Sequence, residues 1–204
     1  RVYAIAQQNE TLDFIEQFKG DKKLLVVGSS WQPDENVVRQ IYDFIKNDYK
    51  IVFVPHVISK EHISVIKSLF KEEKIICFSD SSDQNLAEYN LFIIDTIGLL
   101  SRIYKYADVA MVGGGFETGL HNTLEAAVFG IPVFFGPQYS KFNEAIELVR
   151  LQGGFSIQNA NEMRCIMERF RSEPDFYRKT CQICSDFVKE NLGACDKILA
   201  VIND

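Results

Sequence analysis

Short, continuously apolar runs alternate along this chain with longer segments of helical period, and that alternation leaves few folds open. Residues 24–28, 51–55, 74–78, 91–94, 109–113, 131–136 and 155–157 read as strands. Most are apolar at nearly every position, as strands covered on both faces should be. Between them Val37, Ile41, Phe44 and Ile45 make one helical stripe, and Ile63, Ile66, Leu69 and Phe70 make another. Strand, crossover helix and strand in repetition predict an α/β fold with a Rossmann-like, doubly wound parallel sheet. After residue 157 the pattern becomes wholly helical. Met163, Ile166, Met167 and Phe170 precede a break at Pro174, a stripe from Tyr177 follows, and a last apolar segment covers 194–201. The chain is expected to end in a helical tail.

No Pro/Gly/Ser-rich spacer, low-complexity run or repeat divides the 204 residues, so a single domain over 1–204 is expected. Residues 1–10 have no partner in the pattern, and the chain opens at Arg1. That start reads as a linker remnant of a longer polypeptide lacking its N-terminal half. With 22 Lys+Arg against 28 Asp+Glu the net charge is -6, which gives a nucleic-acid backbone no long-range attraction. No apolar run approaches the roughly 20 residues of a membrane helix. Five cysteines at spacings that suggest no disulfide framework point to a reducing compartment. Cys181 and Cys184 form a C-x-x-C pair, yet they share a helical stripe with Tyr177 and Val188, which predicts core packing instead of zinc.

In an open parallel sheet ligands bind at the carboxyl ends of the strands, so the candidate site lies in the loops that leave them. Four carry usable chemistry: Ser29 and Ser30, Pro55 and His56, Thr96, Ile97, Gly98 and Leu99, and the glycine segment Gly113, Gly114, Gly115 and Phe116. Glycines bring backbone close to a ligand, and the start of the helix that follows offers free N–H groups to an anion. The segment is not a dinucleotide fingerprint, because glycines at 113 and 115 would need a third at 118, where Thr118 stands. Beside it His121 is a donor whose residue class makes protonation near neutrality accessible. Asn122 and Glu125 fit two readings equally when taken alone: a capping box at a helix start, or a carboxylate that meets a ribose diol. His56 faces the cleft or caps a turn, and both stay open. Asp80 and Asp83 read as a solvated turn, and no metal cluster or catalytic triad is spaced recognisably. Neither a metal nor a bound cofactor is expected, and no residue here is assigned a catalytic role.

The stretch from Tyr106 to Phe116, then Gly119-Leu120-His121-Asn122-Thr123-Leu124-Glu125-Ala126-Ala127, then Gly130-Ile131-Pro132-Val133 and Gly136-Pro137, resembles the 3-deoxy-D-manno-octulosonic acid (Kdo) transferases. Gly28-Ser29-Ser30-Trp31 and Asp95-Thr96-Ile97-Gly98 look like two further motifs of that family in the same order. The resemblance implies the C-terminal domain of a GT-B glycosyltransferase of lipopolysaccharide biosynthesis, with CMP-Kdo as donor and a lipid A precursor as acceptor. It implies inverting, metal-independent transfer at the cytoplasmic face of the bacterial inner membrane. The general base, acceptor site and membrane anchor would belong to the N-terminal half, so this chain alone is expected to bind nucleotide weakly and turn nothing over. Carried over, Gly113 to Phe116 with the N–H groups near His121 and Asn122 would hold the CMP phosphate, Glu125 the ribose, and the 96–99 loop with Pro55-His56 the cytosine. Val54 and Val57 flank the Pro-His pair, beside which the family often has a basic residue, and Arg102, Lys105 or Lys141 are the candidate replacements to neutralise the phosphate. Two other readings share the architecture: a UDP-sugar enzyme such as a UDP-N-acetylglucosamine 2-epimerase, and a non-enzymatic nucleotide-sensing module.

Overall fold

The computed structural model describes residues 11–117 and 119–202, with side chains through residue 191. Residues 1–10, and with them the linker reading, lie outside the described part. A helix α1 (Asp13–Lys19) leads into β1 (Lys23–Ser30), α2 (Gln32–Ile45), β2 (Tyr49–Pro55), α3 (Lys60–Leu69), β3 (Ile75–Cys77) and β4 (Leu91–Ile93). Then follow α4 (Leu100–Ile103), β5 (Val109–Val112), α5 (Leu124–Ala127), β6 (Val133–Phe135), α6 (Asn143–Leu151), β7 (Gly154–Ser156), α7 (Ala160–Ser172) and α8 (Pro174–Ile202). The seven strands form one sheet in the order β3-β4-β2-β1-β5-β6-β7, every pair parallel.

Alternation along each strand decides which layer a residue joins. In β1, Leu24 and Val26 face a core with Ile15 and Phe18 of α1, Leu148 of α6, and Cys184 and Phe187 of α8. Leu25 and Val27 face the opposite core with Val38 and Ile41 of α2, Ile66 of α3, and Met163, Met167 and Phe170 of α7. Both faces are therefore covered, which is why the strands carry no polar alternation. The second core holds a run of rings: Phe155 lies 5.4 Å from Phe134 and 5.7 Å from Phe170, and Phe170 stacks on Phe176 at 5.4 Å.

All seven expected strands are present, with shifted ends. β3 stops at Cys77 because Phe78 opens a short 3-10 turn. β6 begins at Val133, since Pro132 cannot donate to the ladder. β1 runs two residues beyond residue 28, and its register against β2 slips between Gly28 and Ser30, where Ser29 takes φ 50°. The tail differs as well. The backbone from Pro174 to Ile202 is one helix instead of two segments, and Cys184 is fully buried with Sγ 3.1 Å from the Gly153 carbonyl.

Candidate functional site

Strand β1 lies between β2 and β5, so the chain order reverses between β1 and β5. At such a reversal the outgoing loops part and leave a crevice. The loop after β1 and the glycine segment after β5 meet there through backbone. The Gly113 N–H donates to the Gly28 carbonyl at 2.9 Å. A Cβ on Gly113 would sit 2.2 Å from the Ser29 carbonyl oxygen, so glycine alone fits beneath that slipped residue. On the far side a Cβ on Gly115 would lie 2.7 Å from the Gly136 nitrogen, pressing the loops after β5 and β6 together.

Three rings close the crevice on the β2 side. Trp31 stacks on His56 at 4.8 Å, and His56 stacks on His121 at 4.4 Å. The Trp31 indole Nε1–H donates to Nε2 of His121 at 3.4 Å, while the His121 N–H donates to the Gly113 carbonyl at 3.2 Å. Burial first, then the neighbouring His56, lowers the pKa of His121. The fold thus favours the neutral ring, where residue class alone makes protonation near neutrality accessible. Because Nε2 accepts, its proton sits on Nδ1, and His121 keeps one donor for a ligand.

Two buried acids brace these loops from the first turn of α2. One oxygen of Asp34 accepts the N–H groups of Trp31 at 2.9 Å and Gly114 at 3.1 Å. The Gly114 N–H is thus already committed inside the protein and is withdrawn from the expected anion cradle. Glu35, fully buried, accepts from Ser30 Oγ at 2.8 Å and meets His62 Nε2 at 2.9 Å. The other ring nitrogen of His62 lies 3.0 Å from the Val57 carbonyl, and the His56 N–H donates to the Ser30 carbonyl at 3.0 Å. Glu35 and His62 so tie the loop that carries His56 to the end of β1. Burial raises the pKa of Glu35 and outweighs the opposing bonds from Ser30 and His62.

The expected residues do not all converge. Ser29, Ser30, His56, Gly113, Gly114, Gly115 and His121 meet at the crevice, and Phe116 takes a bond from the Gln138 side chain to its carbonyl at 2.9 Å. Pro55, the last residue of β2, pairs with Ser30. Thr96, Ile97, Gly98 and Leu99 stand on the same edge of the sheet in the loop after β4. There Asp95 anchors Ser79, and Ile97 is 86% exposed. Among the described hydrogen bonds and ring contacts none joins this loop to the ring stack. The helix start departs from expectation too. α5 has a single turn with Thr123, not Asn122, at its N-cap, so it has little macrodipole to offer. The Asn122 side chain accepts from the Leu124 N–H at 3.0 Å and donates to Glu125 at 3.3 Å. Of the expected cations, Lys141 lines a cavity of about 450 Å³ with Glu117, Gly119, Gln138 and Ser140, beside the glycine segment.

Asp34, Glu35 and His62 belong to this site although none was singled out from sequence, and Trp31, visible there only as the end of the Gly28–Trp31 motif, joins the ring stack. An Asp-Glu pair directly after a strand-end loop was the available signal, because it reads as an ordinary first-turn charge until burial is known.

No family model matches the chain. Among curated proteins it is 31% identical over 153 residues to the Kdo transferase of Chlamydophila psittaci, covering 74% of this chain and 35% of that protein. It is 32% identical over 152 residues to that of Aquifex aeolicus, covering 72% and 41%. The chain belongs with the Kdo transferases, as their C-terminal half. It spans well under half the length of these relatives. Among solved structures, the C-terminal CMP-Kdo binding domain of WaaA from Acinetobacter baumannii matches with TM-score 0.72 at 19% identity, covering 87% of this chain and 99% of that one. A UDP-N-acetylglucosamine 2-epimerase matches with TM-score 0.56 at 14% identity, covering 96% of this chain and 50% of the other. At such identities these two structures share the fold, so the epimerase is a likeness of architecture.

Proposed function

We propose that this chain is the donor-binding half of a Kdo transferase that uses CMP-Kdo and a lipid A precursor in lipopolysaccharide biosynthesis. The observation that carries the reading is sequence identity above 30% to two Kdo transferases across nearly three quarters of the chain. The crevice between β1 and β5 supports it with a place for an anion bordered by rings. In this reading the N–H groups of the turn 113–116 other than those of Gly113 and Gly114, together with the Nδ1–H of His121, receive the phosphate of CMP. Glu125 takes the ribose, and the ring stack and the 96–99 loop border the base. Donors fixed in place meet the charge that grows on a departing phosphate without reorganising, and removing one such donor costs about 2.7–4 kcal/mol in comparable sites. The transfer is proposed to be inverting and metal-independent, with the base and acceptor site in the other half, at the cytoplasmic face of the bacterial inner membrane. Among the described residues no helix is long and apolar enough to cross a membrane.

Titration calorimetry of the chain with CMP, UMP and UDP tests the reading. CMP is expected to bind in preference, and binding of UDP without CMP would overturn it. Glu125→Ala is expected to weaken CMP by about 1.5–3 kcal/mol, the range for a hydrogen bond to a charged group, with an unchanged circular dichroism spectrum. An unfolded variant whose folded fraction keeps its CMP affinity would make Glu125 a cap only.

A further inference from the structure

Asp34 sits directly beneath the glycine turn and is 1% exposed. Both N–H groups that it holds, from Trp31 and Gly114, converge on Oδ2. Oδ1 is buried with no hydrogen-bond partner. Oδ2 also lies 2.8 Å from the place a Cβ on Gly113 would occupy, so the carboxyl group touches the underside of the turn. This one-sided bonding has a chemical consequence. A neutral carboxyl group with Oδ2 as its carbonyl oxygen keeps both bonds and carries the proton on Oδ1. The clamp is therefore indifferent to protonation, and only the charge changes.

We propose that Asp34 is a positioning residue for the phosphate bound at residues 113–115, clamping the turn to the β1 loop in either protonation state and taking a proton from solvent when phosphate binds. The proposal rests on the phosphate reading of that turn. Burial above all, with smaller pushes from the charges of Glu35 and Glu117, raises the Asp34 carboxyl to about 6 against the pull of its two backbone bonds. An added anion above the turn acts in the same direction. The groups that face it are Glu35 on its own helix, Glu117 in the glycine segment, and the imidazoles of His121 and His56 across the turn. The ring of His121 comes within 3.1 Å of the Cβ position on Gly114. That ring is held neutral by burial and by His56, so it brings no positive charge, and removing the charge of Asp34 lowers the repulsion instead.

The test is calorimetry with CMP in buffers of different ionisation enthalpy at pH 7, on the wild-type chain, Asp34→Asn and Asp34→Ala. Amide NMR of Gly114 through pH 5–8 without ligand accompanies it. Wild type should take up roughly half a proton or more per CMP beyond what Asp34→Asn takes up. The ionisation of CMP itself is common to both proteins and drops out of the difference. Asp34→Asn keeps a carbonyl oxygen for the two N–H groups and has no charge to remove. It should bind CMP up to roughly tenfold more tightly than wild type at pH 7, one unit above the carboxyl midpoint, and about equally near pH 5. Asp34→Ala should bind roughly tenfold more weakly through loss of the clamp; if it does not fold, Asp34→Asn still decides. Equal proton counts in wild type and Asp34→Asn, or a wild-type Gly114 amide that does not titrate, would overturn the proposal. Unchanged affinity in Asp34→Ala would overturn the clamp. Failure of CMP to bind any of the three, with the Gly114 amide still titrating, would instead remove the phosphate reading and with it the proton uptake.

Discussion

A carboxyl group raised to about 6 in the fold, against 3.8 in the open chain, is destabilising while ionised. Asp34 therefore detracts nothing below pH 4, and its cost grows as pH rises from about 4 to 6 and is complete above that. The full difference is on the order of 3 kcal/mol at one pKa unit per 1.36 kcal/mol. Glu35 has the same sign. His121 works oppositely, since its depressed pKa makes the fold lose stability as pH falls below the usual imidazole value. From pH 5 to pH 7 the melting temperature of wild type is expected to fall relative to that of Asp34→Asn; an unchanged difference between the two proteins would refute the assignment. The residue scale is also where the sequence was least legible. His121 and Asn122 were visible as candidates, but the neutral state of one comes from a ring stack assembled by residues 31, 56 and 121. Asp34 and Glu35 look like surface helix residues until the packing of α2 buries them, and His62 becomes a partner only once α3 brings it to Glu35.

Among the elements, the loops depend on support from outside their own sequence. The β2–α3 loop is held through His62, whose loss would leave Glu35 buried without that partner. His62→Ala is expected to cost about 1–3 kcal/mol, the penalty for an unsatisfied buried polar group, and to weaken CMP binding by freeing His56. Denaturant melts and the CMP titration measure both, and a stability change without any loss of affinity would separate the brace from the site. The glycine turn depends on its neighbour after β6. Gly136→Ala would place a Cβ 2.4 Å from the Gly115 carbonyl carbon, so it should displace the turn and weaken CMP more than it lowers the melting temperature. Strands were readable because burial on both faces writes an unbroken apolar run. The cap of α5 was misplaced by one residue, because Asn122 signals a turn and a cap equally well. In the structure the Asn122 side chain turns back to the Leu124 N–H, and the buried Thr123 takes the cap position.

For the whole molecule, the sheet and its two covering layers were legible because periodicity reports burial directly. Strand order was not, since β4 inserts between β3 and β2 through contacts that no local pattern records. The second core should behave as one unit. Phe134→Ala, at a fully buried position among the rings of Phe155 and Phe170, is expected to cost about 3–5 kcal/mol. CMP affinity in the folded fraction should be unchanged, because the ring run lies beneath the sheet and not at its edge. A matching loss of affinity would show that the core and the crevice are mechanically coupled.

The ring stack has one more consequence. The sequence contains a single tryptophan, and it is Trp31, with its indole N–H bonded to His121 and its face against His56. Any ligand that enters the crevice must alter the surroundings of the molecule's sole indole fluorophore. The protein therefore carries its own optical reporter of occupancy, readable by emission intensity and wavelength without a label or a coupled assay.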